Sequence, residues 1–170
     1  MNLRLPEAFE FCGAFATVGL ALGDRHEGHN FVGFYRQLEP QGPAVYSEDI
    51  QEALGAPASY PVSEVVAYLR AGHPILDVSE SCLDVVDGEG RIRSGSSVLS
   101  DGEWVWRWDL GHYVEKYAVD LPDGFLAEAT GNAFRIPVVP RERLIEISLA
   151  VNEALGFRPA QGSGPRRKDT

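Results

Sequence analysis

Leu99-Ser100-Asp101-Gly102-Glu103-Trp104-Val105-Trp106-Arg107-Trp108 is the stretch on which the fold turns. An Asp-Gly pair between two alternating runs favours a two-residue type I′ hairpin, whose central positions both need positive φ. With Asp101-Gly102 at the tip, Ser100 is expected opposite Glu103, Leu99 opposite Trp104, Val98 opposite Val105, Ser97 opposite Trp106 and Gly95 opposite Trp108. Side chains alternate along a strand, so Trp104, Trp106 and Trp108 share a face with Leu99, Ser97 and Gly95, while the other face reads as mostly polar. Each tryptophan carries on the order of 150–250 Å² of surface. Left in water, the three would form a patch beyond that of an ordinary monomer, so something must cover them.

The next residues offer a cover. Asp109 reads as an N-cap, and Leu110, Tyr113, Val114 and Tyr117 recur at helical spacing behind it. A strand-helix core is then one reading of the tryptophan face. The other is an aromatic binding patch of Trp104, Trp106 and Trp108, flanked by Glu103, Arg107 and Glu115, with His112 half-exposed on the first helical turn.

Working outward, the remaining pattern predicts an α+β fold with an antiparallel sheet, several short helices and one longer C-terminal helix. Phe9–Leu22 reads as a strand, or two short strands broken at Gly13, with a helix as the alternative; as a strand it would form a first hairpin with Phe31–Arg36 across a polar loop, Gly23–Asn30. Ser47 is expected to cap a helix over 48–54, and Ser63 a helix ending at Gly72. Ile75–Val78 and Leu83–Val86 read as short strands, Asp123 as a cap after Pro122, and Ala133–Val139 as an edge strand interrupted by Pro137. Pro140 opens the clearest helix, striped with Leu144, Ile147, Ser148, Val151 and Leu155 and closed by Gly156. Residues 1–156 are therefore expected to form a single domain, and 157–170 a disordered basic tail.

Charge narrows the partners. The 170 residues carry 15 Lys+Arg and 25 Asp+Glu, a net of −10. The tail holds four of the bases and one acid, leaving 11 bases and 24 acids, a net of −13, in residues 1–156. Such a surface repels phosphate backbones and anionic lipid, so nucleic-acid and membrane binding are not expected, whereas a basic protein would be steered toward it. No stretch reaches the roughly 18 apolar residues of a membrane span. Phe11–Leu22 follows no positive n-region, and Cys12 and Cys82 are the only cysteines, so a reduced cytoplasm is the expected location.

Few residues suggest catalysis. His26 and His29 are three apart beside Asp24, but they lack the His-Glu-x-x-His register, lie between glycines and have no evident third ligand, so neither metal nor other cofactor is expected. His73 is read as a helix-end residue near terminal carbonyls. Asp84-Val85-Val86-Asp87-Gly88-Glu89 lacks the ligand register of a calcium loop. Cys82 has no nucleophile-elbow glycines. The enzyme version that remains is a small-molecule hydrolase or transferase with a pocket near the hairpin and acid–base work by Glu115 and His112.

The runs Val65-Val66-Ala67-Tyr68-Leu69-Arg70-Ala71-Gly72, Ser100-Asp101-Gly102-Glu103-Trp104-Val105-Trp106 and Asp109-Leu110-Gly111-His112-Tyr113-Val114-Glu115-Lys116-Tyr117, followed by Leu121-Pro122, resemble a group of small actinobacterial cytosolic proteins. Some members of that group are similar to the immunity proteins that accompany polymorphic toxins. The resemblance implies a shared fold and supplies no catalytic residues. Together with the charge it points to an acidic protein-binding module that occludes a basic partner, a toxin in the immunity version.

Overall fold

The computed structural model describes residues 25–26, 29–55 and 58–157. The expected strand at 9–22 and all but the first residue of the basic tail lie outside them. In chain order the described elements are β1 (Arg25–His26), β2 (His29–Val32), α1 (Ile50–Ala53), α2 (Val62–Arg70), β3 (His73–Leu76), β4 (Ser81–Leu83) and β5 (Arg91–Arg93). There follow β6 (Val98–Ser100), β7 (Trp104–Arg107), α3 (Leu110–Tyr117), α4 (Asp123–Gly131) and α5 (Arg141–Ala154). The fold is α+β. One sheet runs β1-β2-β7-β6-β3, and β4 and β5 form a separate two-stranded ribbon.

The sheet departs from the expected antiparallel design in one pairing: β2 lies parallel to β7, with Asn30 opposite Trp104 and Val32 opposite Trp106. A parallel pair needs a long crossover rather than a turn, so no local sequence signal announces it. Within the expected polar loop at 23–30, the described residues Arg25–His26 and His29–Asn30 pair as antiparallel strands, with His26 opposite His29.

The tryptophan hairpin forms at Asp101-Gly102, but its register is displaced. Ser100 pairs with Val105, Leu99 with Trp106 and Val98 with Arg107, leaving a four-residue loop rather than two. Asp101 causes this. Its Oδ1 accepts from the backbone N–H of Glu103 at 2.9 Å and Trp104 at 2.7 Å, while Oδ2 accepts from the Tyr68 hydroxyl at 2.6 Å. Only Gly102 of the pair has positive φ, +106°, so a type I′ turn does not form. The displacement is by two residues, so Trp104 and Trp106 keep the same face.

That face is core. Trp106 is fully buried, stacked on Tyr68 of α2 at 6.0 Å and edge-on to Phe125 of α4 at 5.8 Å. Its Nε1 donates to the Leu69 carbonyl at 3.0 Å. At Gly72 a Cβ would lie 2.6 Å from the Trp106 ring, so only glycine lets the end of α2 pass over it. The direct cover is therefore α2 and α4. The expected cover, α3, joins the same core through Leu110, Tyr113 and Val114, packing beside α2 and directing Tyr113 at Tyr35.

The other face is not polar as expected. Phe31, Phe34, Val45, Val98 and Val105 form a second cluster closed by Ile147 and Val151 of α5. The sheet is thus buried on both sides, which is why β7 reads as a nearly continuous apolar run.

Several local expectations shift for identifiable reasons. Asp49, not Ser47, caps α1, accepting from Gln51 N–H at 2.9 Å. Pro61 occupies the N-cap of α2 and puts Ser63 inside the first turn; Pro122 does the same to Asp123 in α4. Asp109 precedes α3 but makes no capping bond, because its carboxylate is taken by Arg107. Residues 133–139 form no strand: Ala133 and Phe134 have positive φ, and the segment then passes edge strand β3, where Pro137 O meets His73 Nε2 at 2.9 Å. His73 is accordingly a strand residue, not a helix-end one. α5 matches its sequence reading, with Pro140 before it and Gly156 at φ +75° after it.

Candidate functional site

The residues singled out around the hairpin separate into interior and surface. Trp106 and Arg107 are buried and cannot form part of an exposed patch as placed. Arg107 shares the α5 face with Val105 and is drawn inside by Asp109: Nε reaches both carboxylate oxygens, at 3.1 and 3.2 Å, and Nη2 reaches Oδ2 at 2.6 Å. Its Nη1 donates to the Tyr46 hydroxyl at 3.0 Å. Burial disfavours its charge, but these bonds outweigh burial and hold the guanidinium protonated above its ordinary range. Trp104 is partly covered by Phe125, at 5.7 Å. Glu103 is exposed, and Trp108, just beyond β7, is 37% exposed.

His112 and Glu115 belong to a different surface, the exposed side of α3. Glu115 pairs with Arg70 of α2 at 2.5 Å. The two side chains are 55% and 47% exposed, so the pair is worth only ~0.2–1 kcal/mol and opens readily. Beside it lies a groove of about 550 Å³ between α2 and α3, lined by Val62, Ser63, Val66, Ala67, Arg70 and Glu115. Its floor is apolar and its rim carries one charge of each sign. Gly111 of α3 faces the Arg70 stem of α2, where an added Cβ would make an ordinary van der Waals contact at 3.8 Å.

The other polar centre was not legible as a site. Asp84 is fully buried, and its Oδ2 receives His112 Nε2 at 2.7 Å, Tyr117 Oη at 2.8 Å and Lys116 Nζ at 3.1 Å. Oδ1 accepts from Val86 N–H at 3.0 Å. Lys116 also reaches Asp87 at 2.5 Å. The three side-chain donors to Asp84 all come from α3, with 112 and 116 one turn apart, a grouping that could have been found only by knowing what lay opposite. Burial would raise the Asp84 carboxyl, but the bonds from His112, Val86, Tyr117 and Lys116 outweigh it and hold it well below the usual carboxylate range. Asp87 is lowered to about 2, chiefly by Lys116.

This knot fastens the β4–β5 connection to α3. Because the folded-state values lie below the unfolded ones, its contribution is complete above about pH 4 and is lost as acid protonates both carboxylates. Asp84→Asn is expected to cost about 2 kcal/mol at neutral pH, the scale of hydrogen bonds to a charged group, and to flatten the acid limb of a stability–pH curve. An unchanged acid limb in that variant would show that Asp84 does not govern it.

Cys82 is no partner for His112. Its thiol points to Asp109 Oδ2 at 3.4 Å, and burial, with that negative charge, pushes its pKa up to about 11, so it is protonated at neutral pH. Among the described residues no group of three or more His, Cys, Asp or Glu side chains is placed to hold a metal ion. His29 is buried rather than on a solvated loop. No described helix is long and apolar enough to cross a membrane. Comparison of the chain with protein-family models, with curated proteins and with solved structures finds no match.

Proposed function

We propose that this chain is an acidic protein-binding module that takes a basic protein partner on the α2–α3 surface and acts by occlusion, as an immunity protein would. The observation that carries this reading is Glu115, on the rim of an apolar groove in a chain of net charge −10. A lysine or arginine from a partner can lay its alkyl stem along Val66 and Ala67 and present its charge to Glu115. Displacing Arg70 from an exposed pair costs little, and the released guanidinium remains solvated. The net negative field would steer encounter, and the groove would supply the residence time. Glu103 and Trp108, both exposed, stand as further contacts to test.

The experiment compares wild type with Glu115→Gln in capture of protein from the native lysate at low and high salt. Capture of a basic protein that weakens with salt and falls several-fold in the variant is the expected result. Capture indifferent to both salt and Glu115 would contradict the reading. One observation favours a second reading: Asp84 fixes the His112 ring at 2.7 Å, as an acid–base histidine requires. Turnover of a small molecule that His112→Ala abolishes, with no partner captured, would put that enzyme in place of the binding module.

A further inference from the structure

His29 opens β2 and is only 6% exposed, yet its Nδ1 is enclosed with no hydrogen-bond partner among the described residues. An enclosed polar atom left unpaired is rare in a folded protein and calls for an explanation. Its position supplies one. Alternation along β2 puts His29 with Phe31 on the face closed by α5, while Val32 joins the opposite core. Arg143 and Glu146 of α5 and Glu103 in the hairpin loop act on the ring, and β1 brings Arg25 and His26 to the positions paired with Asn30 and His29.

α5 is anchored mainly through its middle and C-terminal part, and in its N-terminal half, 141–147, the one buried residue is Ile147. Ile147 and Val151 are its buried residues, and Ser148 Oγ reaches the Ile75 carbonyl at 3.4 Å. Among the described residues, Arg25–His26 of β1 pairs with the outer side of β2. A charge appearing between β2 and the N-terminal half of α5 would need water, and water enters by parting them. Burial first, then Arg143, oppose a proton on the ring and outweigh Glu103 and Glu146, so His29 stays neutral below its ordinary 6.5. With the folded value lowered, the contribution of this contact is complete above about pH 6.5 and is lost as pH falls.

We propose that His29 is an acid-sensitive latch between β2 and the N-terminal half of α5: neutral, it closes the junction; protonated, it opens it and exposes the apolar face around Phe31 and Val105. The inference is independent of the α2–α3 groove. Hydrogen exchange of the full chain at about pH 7.5 and about pH 5.5, corrected for intrinsic exchange, tests it. Amides of β2 and α5 are expected to exchange several-fold faster in acid, with α2 and α3 affected far less. His29→Phe keeps the site filled and apolar and should remove that acceleration. Because this variant could fail to fold, wild-type imidazole resonances are titrated in parallel, and His29 is expected to titrate below its ordinary value. Titration at or above about 6.5, the same acceleration in His29→Phe, or acceleration spread equally over all elements would overturn the proposal.

Discussion

Trp106→Ala is expected to destabilise the fold by about 3–5 kcal/mol, the range for removing a large aromatic from a core that cannot collapse around the void. The void would open between β7, α2 and α4, where the ring touches Tyr68, Phe125 and the approach at Gly72. It would also strand the Leu69 carbonyl that Nε1 satisfies. Urea titration checks this, provided the slope with denaturant is unchanged so that the midpoint shift reads stability. A loss below about 1 kcal/mol would mean that the indole is not in the core.

Asp109→Asn should be comparably severe, at about 3–5 kcal/mol, because it leaves the Arg107 charge buried without its counterion. The side chains of this pair are 5% and 0% exposed, and the Tyr46 hydroxyl and Cys82 thiol complete the polar shell. Replacing both charges, as in Arg107→Met with Asp109→Leu, is expected to recover most of the loss, since an apolar pair of similar volume has no desolvation to offset. A double variant no better than Asp109→Asn would show that the fold needs the hydrogen-bond geometry and not charge neutrality. Thermal midpoints of the three proteins make the comparison.

Trp106 and Asp109 differ in how far local sequence determines their surroundings. The location of the hairpin and the shared face of Trp104 and Trp106 follow from Asp101-Gly102 and strand alternation, and both are present. The register does not follow, because Asp101 spends its carboxylate on Glu103, Trp104 and Tyr68, and Tyr68 is 33 residues away. α5 was legible from Pro140, its apolar stripe and Gly156, all local signals. The parallel β2–β7 pairing has no local signal, and the burial of Arg107 depends on a sheet face that only this pairing and α5 together create. Residues 133–139 carry an apolar pattern without a strand because Ala133 and Phe134 turn through positive φ. Of the candidate site, Glu115 could be picked as a carboxylate on the solvent side of a helix, but its groove could not, since Arg70 lies on another helix. The Asp84 knot joins residues 28–33 positions apart and looked in sequence like a calcium loop that fails.

The tryptophan strand divides between core and surface, and the proposed binding surface is for that reason the α2–α3 groove and not an aromatic patch. Hydroxyl-radical footprinting of the native protein, read by mass spectrometry at each tryptophan, tests that division directly. Trp108 should be oxidised readily, Trp104 weakly and Trp106 only after denaturant unfolds the chain, in keeping with exposed, partly covered and fully buried rings. Equal oxidation of all three in the native protein would contradict it, placing the indoles together in water and returning the binding surface to the hairpin.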